Sequence, residues 1–207
     1  MTAPASPLTL AQWRRAVAEI YAEVRATSNG AAAAARYRGE RDRLFAEHPD
    51  TPIGPAHRRS WHGASWYPYD PKWRMLGIVE PVRSMVTFDI PLAADGVIHC
   101  TRVAHVRFTS GSDAATLALY WFEGYGGGLW LPFSDATSGE STYGGGRYLY
   151  DTIKGADLGV DGDRIVLDFN FAYNPSCAYD DRWVCPLSPA ENALPFAVNA
   201  GERMPEG

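Results

Sequence analysis

VTFDIPLAADGVIHCTRVAHVRF, residues 86–108, marks a change in the period of the chain from steps of three or four to steps of two. Val86, Phe88 and Ile90 alternate with Thr87 and Asp89, and Asp95-Gly96 then supplies a hairpin turn into a long strand from Val97 to Phe108. Downstream, strands are expected at Thr116–Phe122, Leu129–Phe133, Arg147–Thr152 and Arg164–Phe171, separated by the turn sequences GSD, GYGGG, TSGES and DGD. Short strands joined by glycine turns, with no helical stretch between them, indicate a mainly β fold, an antiparallel β-barrel or β-sandwich.

Upstream the pattern is different. Residues 48–74 carry Pro49, Pro52, Pro55, Pro68 and Pro71 among Trp61, Trp66, Tyr67, Tyr69 and Trp73, too broken for a helix and too aromatic to be left in water. This reads as an ordered segment wrapped on the domain. Before it, Leu10, Trp13, Val17, Ile20, Tyr21 and Val24 make one apolar helical stripe behind a Thr9-x-x-Gln12 capping box, stopped by Asn29-Gly30. A second helix is expected over residues 31–47, ending at His48-Pro49. The organisation read from this is an N-terminal helical extension, residues 1–30, and a single β-rich domain, residues 31–207.

Nineteen basic against 24 acidic residues give a net charge of −5, which lacks the excess that a phosphate backbone demands, so no nucleic-acid partner is expected. The longest strongly apolar run, Ala114–Phe122, is far short of a membrane span, and no secretory signal opens the sequence, so a cytoplasmic location and no membrane partner are expected. Three cysteines are few and odd in number for a stapled secreted fold; free thiols are the starting expectation, although a disulfide closing the Cys177–Cys185 loop is geometrically possible.

Two segments hold the chemistry. In GESTYGGGRYLY, residues 139–150, the glycines allow close backbone approach, and Arg147 is either paired with an acid such as Asp168 or Glu191 or free to hold an anion bidentately, with Tyr143 alongside. In DFNFAYNPSCAY, residues 168–179, Asp168 and Asn170 fall on the polar face of a strand and lead into a loop with Asn174, Cys177 and Tyr179. Cys177 and Cys185 are spaced too widely for paired zinc thiolates, and no second His or Cys pair follows, so neither a metal nor a cofactor is expected.

These segments, with RGERDRLFAEHPDTPI, WYPYDPKWR, GGGLWLPFSDATSGESTYGGGRYLYDT and VLDFNFAYNPSCAYDDRWVCPLSPAENALPFAVNAGE, resemble a bacterial domain-of-unknown-function family, number 1684, over residues 37–202. The resemblance implies where a site lies and assigns it no activity. Its two signatures hold Arg147, Asp168, Asn170, Asn174 and Cys177, and the physical reading adds the expectation that these converge around one polar pocket.

Three functions of different kinds follow as expectations. The first is a small-molecule site, enzymatic in a hydrolase or lyase sense or purely binding, for a small anionic metabolite. Asp168, Glu191 and Cys177 are its candidate catalytic groups, and Tyr143, Arg147, Asn170, Asn174 and Tyr179 its ligand contacts. The second is a structural or interaction domain whose loop caps a barrel, and the third is metal binding through Cys177 and Cys185. Assembly is left as monomer or homodimer.

Overall fold

The structure, a computed structural model, describes residues 6–92 and 96–205. Asp95 of the expected turn lies outside the described residues. On either side of it β1 (Arg74–Leu92) and β2 (Gly96–Ser110) pair antiparallel, with Ile90 opposite Ile98 and Pro91 opposite Val97. β1 starts well before the alternating stretch: a register shift between Pro81 and Val86 absorbs a proline that has no N–H to give the ladder.

β3 (Asp113–Phe122), β4 (Gly128–Phe133), β5 (Arg147–Asp151), β6 (Val160–Asp161) and β7 (Arg164–Asp168) complete one seven-stranded sheet, ordered β5-β4-β3-β2-β1-β7-β6. Every neighbouring pair is antiparallel, as the glycine turns require. The sheet is not closed into a barrel. It curls towards one, because Tyr173, just beyond β7, exchanges backbone hydrogen bonds of 2.9 and 3.1 Å with Tyr148 of β5.

β7 ends at Asp168, three residues before the expected Phe171. The Asp168 carboxylate accepts the Asn170 N–H at 3.1 Å and turns residues 169–171 into a single 3-10 turn. The apolar alternation continues through that turn, since Phe169 and Phe171 are both buried, which is why it reads as strand. Nor is the other face of β7 solvated: Val166 and Asp168 are buried as well.

The first helix, α1 (Pro7–Ala26), is capped three residues earlier than Thr9. Ser6 is the cap, accepting from Thr9 N at 3.1 Å, and Thr9 Oγ1 accepts the Ser6 N–H at 3.0 Å, with Pro7 at the first helical position. Asn29 does not stop α1 but opens α2 (Gly30–Glu47), its side chain accepting from Ala32 N at 3.1 Å. The Tyr21 and Tyr37 rings meet edge-on at 5.5 Å, and Tyr37 meets Phe171 at 5.2 Å, so both helices join the core of the sheet. Leu117, Leu131, Phe133, Leu149, Leu167 and Phe169 form its centre, each worth roughly 1.5–3 kcal/mol of burial. Among the described residues no helix is long and apolar enough to cross a membrane.

Candidate functional site

Arg147 enters the interior behind Gly146, whose φ of +86° and 2.6 Å approach of a would-be Cβ to the Phe133 carbonyl oxygen exclude a side chain there. Its guanidinium is buried. Nη2 donates to Asp135 Oδ2 at 2.8 Å and to the Val198 carbonyl at 3.0 Å, while Nη1 donates to the carbonyls of Glu202, at 3.1 Å, and Ala200. Burial lowers the pKa of the group and Asp135 opposes that. The expectation of an anion held by Arg147 is therefore corrected. Its terminal nitrogens pin the C-terminal segment to β5, and its acid is Asp135 rather than Asp168 or Glu191.

A cavity of about 580 Å³ opens between the α1–α2 turn and β7, a size ordinary for a small-molecule site. Arg25, Thr27, Ser28, Gly30, Tyr69, Arg74, Gly159, Asp161 and Asp168 are on its wall. Asp168 is 3% exposed, and its Oδ2 faces Arg74 Nε at 4.0 Å, while its Oδ1 accepts from Asn170 N and Nδ2. Burial pushes the Asp168 carboxyl above the usual carboxylate range, against the pull of the Asn170 hydrogen bonds and of Arg74. The Arg74 side chain is half exposed at the mouth. Gly30, the first residue of α2, lets Tyr69 lie against the helix end: a Cβ there would be 2.0 Å from the tyrosine hydroxyl. The positive end of the α2 dipole thus borders the same space.

Asn170 is fully buried, and its side chain is bonded to the chain itself. Its Oδ1 accepts from Asp70 N and its Nδ2 donates to Asp70 O, both at 2.9 Å, imitating a backbone pair for the wrapping segment at Asp70. This clamp sits between Tyr69 and Arg74 in sequence and holds both on the cavity wall. Asn192 acts similarly, accepting from Ala118 N at 2.7 Å and donating to the Ala118 and Pro132 carbonyls.

The remaining expected residues are elsewhere. Asn174 donates from its backbone to Glu202 Oε2 at 2.7 Å and from Nδ2 to the Arg203 carbonyl at 2.7 Å, beside a cavity of only about 60 Å³ that Tyr179 also lines. Tyr179 borders a further cavity of about 330 Å³ with His57, Trp61 and His62. Both Glu191 oxygens are engaged, by Tyr120 Oη and Arg102 Nη1 at 2.6 Å each. Tyr143 Oη lies 3.5 Å from Cys177 Sγ, next to Cys185. The single pocket expected around Arg147, Asp168, Asn170, Asn174 and Cys177 is thus resolved into an ion-pair anchor, a carboxylate cavity, backbone clamps and a thiol cluster. Among the described residues no group of three or more His, Cys, Asp or Glu side chains is placed to hold a metal ion.

Sequence reasoning passed over Asp135, Arg74 and Glu202. Asp135 had a legible signal: in SDATS its carboxylate accepts from Thr137 N at 2.8 Å and Thr137 Oγ1 at 2.6 Å, the Asp-x-Thr spacing of an Asx turn. Glu202, buried against Arg41 at 3.1 Å, and Arg74 carried no local pattern.

The comparisons with known proteins agree with the sequence motifs. No curated protein matches the chain. The solution structure of an uncharacterized protein from gene locus rrnAC0354 of Haloarcula marismortui is 36% identical, with 80% of this chain and 89% of that one covered and a TM-score of 0.60. The model of the protein family of unknown function DUF1684 matches residues 59–203, a range that leaves out the helical motif RGERDRLFAEHPDTPI. The chain belongs to the DUF1684 family.

Proposed function

We propose that the protein binds a small polar molecule bearing an anionic group in the cavity between the α1–α2 turn and β7. The observation that carries this reading is the Asp168–Arg74 pair at the cavity wall, a buried carboxylate facing a guanidinium at 4.0 Å with no closer salt bridge between them. The fully buried arginine–carboxylate pair, Arg147 and Asp135, closes to 2.8 Å. An arginine at the mouth of a cavity, beside a helix N-terminus and the Ser28 hydroxyl, is suited to a carboxylate or phosphate.

Asp168 sets the polarity of the other end. A carboxyl whose pKa burial has raised keeps its proton to higher pH than an exposed one, so it is the group that would act as acid or base in a hydrolase- or lyase-type step. Tyr69 is the neighbouring hydroxyl. Calorimetric titration with a panel of small carboxylates and phosphate esters tests the reading. Binding by at least one member should weaken about tenfold or more in Arg74→Ala, the loss of a charge-assisted contact. No binding across the panel, or binding indifferent to that substitution, would remove the proposal.

A further inference from the structure

Away from that cavity, the loop following β7 brings two thiols together. The Cys177 backbone N–H donates to Cys185 Sγ at 3.4 Å, and Tyr143 Oη lies 3.5 Å from Cys177 Sγ. Both cysteines are free and only half-buried. Cys100, the remaining cysteine, is buried in the β2–β3 core, where burial pushes its thiol up to about 12. Neither Cys177 nor Cys185 lines the 580 Å³ cavity, and neither is needed for the anion site.

We propose that Cys177 and Cys185 form a thiol–disulfide exchange site for small disulfides, with Cys177 attacking and Cys185 resolving. The Cys185 thiol, first, and the Tyr143 hydroxyl hydrogen-bond to the Cys177 sulfur and pull its pKa down to about 6, while the shared proton raises that of Cys185. The shared proton favours a thiolate on one sulfur and a thiol on the other, and the Tyr143 hydroxyl 3.5 Å from Cys177 Sγ favours the thiolate on Cys177. Lys154 favours a developing thiolate at Cys185 in the second step.

The chemistry balances with a small organic disulfide, RSSR, as the oxidant. The Cys177 thiolate forms a bond to one sulfur of RSSR as the S–S bond breaks, releasing RS⁻, which takes up a proton as RSH. Cys185, losing its proton to solvent or to the departing thiolate, then attacks Cys177 Sγ, expels the second RS⁻ and closes the intramolecular disulfide. Two protein thiols are oxidised and one disulfide is reduced to two RSH. The loop so closed spans 177–185, within the turn-rich segment that ends at Pro186.

The test uses the intact protein and bis(2-hydroxyethyl) disulfide, followed by intact-mass measurement and peptide mapping under acid quench. The expected product has lost two hydrogens and carries a Cys177–Cys185 cross-link with Cys100 unmodified. Cys185→Ser should stop at a mixed disulfide on Cys177, and Cys177→Ser should react about tenfold more slowly or less. Mixed disulfides standing separately on both cysteines in the unsubstituted protein, or Cys177→Ser reacting at the full rate, would overturn the assignment. The mapping on unsubstituted protein decides this even where a variant fails to fold, and its outcome is independent of the Arg74 titration.

Discussion

Arg147 is the residue whose role the structure changes most. Taking one partner from a buried ion pair leaves the other charge uncompensated, which costs about 3–5 kcal/mol. Arg147→Met, close in length but neutral, is expected to lower the unfolding free energy by that amount in urea titration, because Asp135 and three carbonyls lose their donor at once. Asp168 behaves in the opposite way. Its pKa in the folded chain is raised by burial above the unfolded value of about 4, so its contribution is fully present below that pH and is lost as pH rises through the folded value. Asp168→Asn keeps an oxygen for the Asn170 N–H and removes the titration. The melting temperature of the variant relative to the unsubstituted protein should therefore climb between pH 4 and neutrality; a flat difference would mean that Asp168 is not a perturbed carboxyl.

Elements meet through clamps and glycine contacts that regular pairing does not supply. Asn192 fastens the turn at residues 190–192 to β3 and β4, and Asn192→Ala should cost roughly 1–3 kcal/mol, since the buried Ala118 N–H is left without its acceptor. At the start of α2, Gly30→Ala suits the helix but drives Tyr69 towards the cavity. Anion affinity should fall about tenfold while the melting temperature stays within about 3 °C, read by titration and calorimetric melting of the same preparation. The strands around 86–133 were legible because their alternation is local and their turns carry glycine. The end of β7 was not, because Phe169 and Phe171 keep the apolar alternation inside a 3-10 turn set by one Asp168 hydrogen bond. Thr9 was read as the first cap, three residues after Ser6, and Asn29 as the end of α1 rather than the start of α2, because several capping residues lie within a turn of each other and tertiary packing chooses between them.

Across the whole molecule, the motifs of residues 139–150 and 168–179 pointed to residues that matter, but their grouping depended on the curl of the sheet. Tyr173 bridging to Tyr148 draws the loop after β7 across β5, which brings the Cys177 sulfur beside Tyr143 while leaving Asp168 on the far side of that bridge in sequence, under α1 and α2. Arg25 and Arg74 come from a helix and a strand widely separated along the chain, and each looks in sequence like an ordinary surface arginine. A cavity assembled from such pieces has no local signature. The most direct test of the anion site is therefore positional: amide NMR spectra of the ¹⁵N-labelled protein titrated with the tightest ligand from the carboxylate and phosphate panel. Shifts confined to residues 27–33, Tyr69, Arg74, residues 159–161 and Asp168, and absent in Arg74→Ala, are predicted. Shifts centred on Arg147 or the Tyr179 cavity, or unchanged by the substitution, would contradict it.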